Sequence, residues 1–319
     1  MLGVDPIRTV DYHTAGEPFR IVVDGVPPLE GRTALERRRW ARDHLDHVRR
    51  LIVNEPRGHA DMYGCFVTGS GTADLGAVFF HNEGYSTACG HGTIALVTWA
   101  LESGRLQAPA DGEVAVTVEV PSGRLLTWAT VRDGDVTGVR FRNVPSFVLR
   151  RGVEAAGSVV DVAFGGAFYA IAPAPVSIDR AGLPRLIESG RAVRAALNRP
   201  GDVVHPAEPE LRDVYGVIWT DGDRNVTVFA DGEVDRSPCG SGTSARLALL
   251  DATGELPRGR PLRHRSIVDT EFLGRVVAGS QVAGIPAVVT EIEGSAHLTG
   301  RHEFVLEPDD PLGTGFLLR

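Results

Sequence analysis

The sequence predicts an α+β protein made of two pseudo-symmetric domains, each with a central helix headed by a cysteine. Three observations predict it. Segments of β-strand composition outnumber helical ones, and helices do not alternate with single strands as a doubly wound sheet requires. A seven-residue pattern occurs twice, Cys89-Gly90-His91-Gly92-Thr93-Ile94-Ala95 and Cys239-Gly240-Ser241-Gly242-Thr243-Ser244-Ala245, at an offset of 150 residues. The same offset relates Gly104 to Gly254, the glycines expected to stop the two helices, and each pattern follows a β-rich stretch. Each half therefore reads strand, loop, cysteine, glycine turn, helix, and two such domains would set the cysteines on opposite walls of a cleft. The expected boundaries are 1–112 with 298–319 for the first domain and 113–297 for the second.

Taken in order, Ile7–Tyr12 and Phe19–Val23 are rich in β-formers and are followed by Asp24-Gly25, which predicts a hairpin. Residues Ala34–Leu51 carry Leu35, Trp40, Leu45, Val48 and Leu51 at roughly helical spacing opposite arginines, the mark of one amphipathic helix. Gly76–Phe80 reads as a short apolar strand and Thr93–Leu101 as an apolar helix. From Glu113 to Phe147 alternating strands dominate, including Val114–Val118 and Val136–Phe141, followed by Val159–Ile171 with Gly165-Gly166 inside it. Pro184–Asn198 is a helix with proline in its first turn, where a missing N–H costs nothing. Val214–Thr220 and Asn225–Phe229 are strands, a loop and a second apolar helix run to Leu250, and Ala287–Ile292, His297–Thr299 and Glu303–Leu306 return to strand.

Composition narrows the chemistry. All 33 basic residues are arginine, and the absence of lysine excludes a pyridoxal-phosphate Schiff base, a P-loop lysine and a kinase strand lysine. A net charge of −8 spread along the chain gives no footprint for nucleic acid, no apolar run reaches membrane-span length, and the start Met1–Pro6 lacks a signal-peptide pattern. The expectation is a soluble, cytoplasmic protein acting on a small molecule. Three cysteines, Cys65, Cys89 and Cys239, with no C-x-x-C spacing, argue against a disulfide framework and a structural zinc site. Cys65, in the middle of an apolar strand, reads as a buried spectator; His13, His59 and Asp61 have no metal-motif spacing. Gly240–Ala245 fits a loose G-x-G-x-x-A, but the repeat explains the same glycines and no regular βαβ context follows.

A cysteine just before a helix sits where backbone N–H groups lack partners and the macrodipole is positive, which is expected to lower its pKa. The glycines after it let amides approach an anion closely. Two such turns supply a base, an acid and a carboxylate cradle. That set suits removal of the proton beside a carboxylate and delivery of another to the opposite face, with inversion. Without an electron sink, fixed dipoles at the carboxylate must stabilise the carbanion.

Five segments carry a resemblance: Asp11–Pro18, Glu55–Gly64, Gly84–Gly92, Asp235–Thr243, and Asp309–Leu312 with Gly315-Phe316. On them the chain closely resembles the proline racemase family, which includes proline racemase, hydroxyproline 2-epimerase and trans-3-hydroxy-L-proline dehydratase. The resemblance implies a diaminopimelate-epimerase-like two-domain fold with its active site in the interdomain cleft, no cofactor, no metal and an imino-acid substrate. A homodimer is the expected assembly. Cys89 and Cys239 match the catalytic pair; the amides of Gly90, His91, Gly240 and Ser241 match the carboxylate cradle; the His91 and Asp235 side chains match the groups that hold the ring nitrogen. Within the family two cysteines resemble racemases and epimerases, whereas threonine at the second position resembles dehydratases. The chain has Cys239, yet His81–Thr87 resembles the dehydratase branch, and Ala88 stands where methionine is common. The expected activity is therefore inversion of proline or hydroxyproline, with 3-hydroxyproline dehydration as the alternative and an inactive imino-acid-binding protein as the reading from another class.

Overall fold

A computed structural model describes residues 6–318; the leader reading at residues 1–5 lies outside them. The fold is α+β, with eighteen strands and five helices among the described residues. It forms two compact units: one holds residues up to Thr87, Gly92–Gly138 and Ser295 onward, the other Ala88–His91 and Val139–Gly294.

In the first unit β1 (Ile7–Thr14) and β2 (Glu17–Asp24) form the expected hairpin, closed by Ala15 and Gly16, both at positive φ. Helix α1 (Ala34–His44) starts at a reciprocal capping box between Thr33 and Glu36. The single helix expected over Ala34–Leu51 is instead two, because Leu45 leaves helical geometry and α2 (Asp46–Val53) begins afresh. The break lets Leu45, Val48, Ile52 and Val53 all reach one core with Val22, Phe66 and Phe80. Then come β3 (Tyr63–Thr68), β4 (Leu75–His81), β5 (Gly84–Tyr85), α3 (Gly90–Glu102), β6 (Gly112–Val120) and β7 (Gly123–Arg132). Strand β6 pairs with both β4 and β7, so residues 113–138 belong to the first unit rather than to the second as the sequence suggested. Backbone pairing, which composition does not show, decides that boundary.

The second unit takes the end of β8 (Asp135–Arg142), then β9 (Ser146–Ala155), β10 (Ser158–Phe164), β11 (Phe168–Pro173), α4 (Leu183–Leu197), β12 (Val214–Asp221), β13 (Arg224–Phe229), β14 (Glu233–Asp235), α5 (Gly240–Thr253), β15 (Leu262–Arg265), β16 (Glu271–Val282) and β17 (Ile285–Gly294). Pairings run β9–β10–β11–β12–β13–β15–β16–β17 and back to β9, a closed barrel without free edges. Helix α5 packs against β9, β10, β11, β16 and β17 and is buried from Gly240 to Ala248. Its small residues permit that fit: a Cβ at Gly165, between β10 and β11, would lie 2.2 Å from the Ser241 carbonyl oxygen. Gly254 ends α5 in the left-handed region, as expected. The chain returns to the first unit as β18 (Ala296–Phe304), one strand where the sequence suggested two, because pairing with β1 continues along its length.

Candidate active site

Asp235 is the last residue of β14, paired with Thr227 of β13. Its Oδ1 accepts from the Ser237 amide at 2.8 Å and the Ser237 hydroxyl at 2.7 Å, and Ser237 Oγ accepts from the Cys239 amide at 3.1 Å. These bonds wind the chain into a turn that ends with Cys239 as the N-cap of α5, at φ +63° and ψ 101°. A non-glycine residue held there stores strain of about 1–3 kcal/mol. Ser241 lies in the first turn with its hydroxyl 3.9 Å from the Cys239 sulfur and 2.7 Å from the Tyr169 hydroxyl, which itself is 3.7 Å from that sulfur.

Cys89 immediately precedes α3, and Gly90 and His91 begin it. The His91 ring nitrogens lie 3.6 and 3.4 Å from the Cys89 sulfur, and its Nδ1 is 3.9 Å from Asp235 Oδ2. The two glycine turns meet main chain to main chain: a Cβ at Gly90 would fall 2.5 Å from the Gly240 Cα, and one at Gly240 2.8 Å from the Gly90 Cα. Only glycine fits at either place. Cys89, Gly90, His91, Asp235, Cys239, Gly240 and Ser241 thus all lie in the second compact unit, whereas the sequence boundaries had given 89–91 to the first.

Burial decides the charge states. His91 is 4% exposed, and desolvation pushes its imidazole down to about 3, so it is neutral at physiological pH. Asp235 is pushed up to about 6 by burial, against the pull of its bonds from Ser237. Cys239 is pushed up to about 12, first by burial and then by the neighbouring Asp235 carboxylate; the Tyr169 hydroxyl, the Gly242 amide and the Thr227 hydroxyl offset part of this. The helix-start expectation of a lowered thiol pKa therefore fails at Cys239. There, loss of solvent and a carboxylate outweigh the amides and the dipole. At rest Cys239 is a thiol, able to give a proton.

Cys65 lies in the middle of β3, fully buried, and burial pushes its thiol well up. Among the described residues no group of three or more His, Cys, Asp and Glu is placed to hold a metal ion. His59 Nδ1 contacts the Ala60 carbonyl at 2.8 Å, and the His13 ring packs 5.1 Å from that of His297. Tyr169 was missed by sequence reasoning. A tyrosine in an apolar strand carries no motif, and only the pairing of β11 with β10 and β12 brings it to the start of α5.

Residues 9–317 match the family model described as proline racemase. A trans-3-hydroxy-L-proline dehydratase of Burkholderia ambifaria is 46% identical over 331 residues, covering 98% of each chain. A 3-hydroxyproline 2-epimerase of Burkholderia multivorans is 45% identical over 331 residues, again covering 98% of each. Among solved structures, a hydroxyproline epimerase from Agrobacterium vitis with bound trans-4-hydroxy-L-proline is similar at a TM-score of 0.92 and 31% identity, over 98% of this chain and 95% of that one.

Proposed function

Since the chain belongs to the proline racemase family, we propose that it inverts the α-carbon of proline or a hydroxyproline without a cofactor, by proton transfer between Cys89 and Cys239. The observation that carries this reading is the pair of cysteine turns whose glycines touch, with a neutral imidazole and a carboxylate beside them, His91 Nδ1 and Asp235 Oδ2 lying 3.9 Å apart. A secondary ammonium has two N–H groups to give, and a neutral imidazole and a carboxylate can each take one. The amides of Gly90, His91, Gly240 and Ser241 would hold the substrate carboxylate and stabilise charge as it spreads from the α-carbon.

In one direction the Cys89 thiolate takes the α-proton and the Cys239 thiol gives its own to the other face. The product is the opposite enantiomer, and the two sulfurs have exchanged protonation states. The next turnover in the same direction requires them to exchange back. In the reverse direction Cys239 is the base, and the hydroxyls around it stabilise its thiolate. The 150-residue repeat then reads as two versions of one half-site.

The names of the relatives favour a second reading. Several at 42–46% identity are trans-3-hydroxy-L-proline dehydratases. On a 3-hydroxylated ring the same first step would allow elimination: Cys89 takes the α-proton, the C2–H electrons form the C2–C3 double bond, and the 3-hydroxyl leaves as water with the Cys239 proton. The deciding experiment incubates the protein in heavy water with L-proline, trans-4-hydroxy-L-proline and trans-3-hydroxy-L-proline and follows products by NMR. Inversion with one solvent deuteron at the α-carbon supports the two-cysteine reading. Loss of water from the 3-hydroxy substrate with no inversion of any of the three replaces it with the dehydratase. No turnover at all leaves the binding protein.

A further inference from the structure

The Cys239 main chain is held by a line of buried side chains that proton transfer itself does not use. Thr243, in the first turn of α5, places its hydroxyl 2.8 Å from the Cys239 carbonyl oxygen, 3.3 Å from that of Pro238 and 2.8 Å from His264 Nδ1. His264, fully buried on β15, has its Nε2 2.7 Å from an Arg246 guanidinium nitrogen. The other Arg246 terminal nitrogen donates to the Gly222 carbonyl.

Donor chemistry fixes the direction of the line. An arginine only donates, so His264 Nε2 accepts and its single proton is on Nδ1. That proton goes to the Thr243 oxygen, which leaves the threonine's own hydrogen for the Cys239 carbonyl. The same carbonyl accepts the Thr243 amide at 2.7 Å, so two donors pin it. Cys239 is a residue that needs pinning, because its φ of +63° lies in a region that L side chains rarely adopt. The first cysteine turn has other residues at two of the corresponding positions. It has Thr93, but Leu96 and Val114 stand 150 residues before Arg246 and His264.

We propose that Arg246, His264 and Thr243 form a positioning relay that holds the Cys239 turn, so that the sulfur of this cysteine depends on a second layer of side chains. The proposal rests on the two-cysteine reading for its catalytic meaning, but its geometry can be tested without it. A hydroxyl bonded back four residues in a helix can also be plain helix chemistry. The experiment therefore reads each cysteine separately.

Full-chain wild type, Thr243→Val, Thr243→Ser and His264→Gln are treated with iodoacetamide, and alkylation of Cys65, Cys89 and Cys239 is followed peptide by peptide. Thr243→Val and His264→Gln should speed Cys239 relative to Cys89 by about tenfold, the scale of one lost buried hydrogen bond. Thr243→Ser should restore the wild-type ratio, and Cys65 should stay protected. In heavy water the two relay variants should lose inversion by about ten- to a hundredfold, as expected for a misplaced reacting group. Exchange of the α-proton from one enantiomer should persist in both. An unchanged Cys239 to Cys89 ratio overturns the relay. So does exposure of Cys65 together with Cys239, which would make these residues general supports of the fold. If wild type exchanges no α-proton from any imino acid, the two-cysteine reading fails while the alkylation ratios still decide the relay.

Discussion

The two cysteine turns share letters and a place at the start of a helix but not backbone conformation or surroundings. Cys89 has an imidazole at 3.4 and 3.6 Å that burial keeps neutral. Cys239 has hydroxyls at 3.7 and 3.9 Å, a carboxylate that raises its pKa, and a left-handed backbone. The repeat has duplicated what requires close approach of main chains, Gly90 against Gly240, while the side chains around each sulfur have diverged. Such divergence is useful if the two thiols must differ in protonation at rest. Two titratable groups whose environments push them apart are how one site holds both an acid and a base.

Removing either sulfur should have the largest effect. Cys89→Ser and Cys239→Ser should each reduce inversion by about a thousandfold, within the range for a lost general acid or base. What separates them is the residual exchange. Each variant should still wash the α-proton out of the enantiomer faced by the remaining cysteine, so the two variants should prefer opposite enantiomers. If NMR in heavy water shows both keeping the same one, the two turns are not the two faces of the reaction.

Asp235 comes next. Asp235→Asn should cut kcat/KM by about a hundredfold, the loss of a charge-assisted contact in a dry site. In the wild type, kcat/KM should rise with pH through about 6 as the carboxylate forms, and the variant should lack that limb. Stability should move the other way. The folded-state pKa is above the ordinary carboxylate value, so the folded chain holds this proton more tightly. The stabilisation from that proton is complete below pH 4 and lost as pH rises through about 6. At pH 8 the variant should accordingly be more stable than wild type by about 1–3 kcal/mol, with the gap closing towards pH 4. Denaturant titrations at the two pH values check it, and equal stability at pH 8 would mean that Asp235 is better solvated than its burial implies.

Tyr169 tests the other half of the contrast. Tyr169→Phe removes the hydroxyl 3.7 Å from the Cys239 sulfur and 2.7 Å from Ser241 Oγ. The kcat of the direction in which Cys239 is the base should fall by about tenfold, the worth of one hydrogen bond to a charged group, and the rise of that kcat with pH should move to higher pH. An equal fall of kcat in both directions, with no shift along the pH axis, would place Tyr169 in substrate binding instead.

The sequence displayed the cysteine turns because a glycine needed for close approach and a cysteine before a helix leave fixed letters at fixed spacing. The helix stop at Gly254 was legible for the same reason, since a left-handed cap selects glycine. What depends on pairing was not. The barrel closes through β9 with β17 and β13 with β15, contacts between segments far apart in the chain; His264 enters the site's neighbourhood through β15, and Tyr169 through the pairing of β11 with β10 and β12. The break at Leu45 was hidden because its apolar spacing continues across it. The raised Cys239 thiol was missed for a different reason: a helix start is visible in the letters, but the loss of water around it is a property of the folded chain.

Cys65 supplies the contrast for both turns, and here the expected effect on catalysis is the smallest. It stands in mid-strand on β3, fully buried, with no helix behind it, and burial alone pushes its thiol up. A thiol is not made reactive by being a thiol but by a neighbour that stabilises the anion or takes the proton. Cys65→Ala should therefore leave kcat and KM unchanged and reduce stability by about 1 kcal/mol, the typical loss for a small buried side chain. Steady-state kinetics beside a urea titration measures both. A large fall in kcat with the urea midpoint preserved would mean that the sulfur in the strand, and not one of the two at the glycine turns, carries the proton.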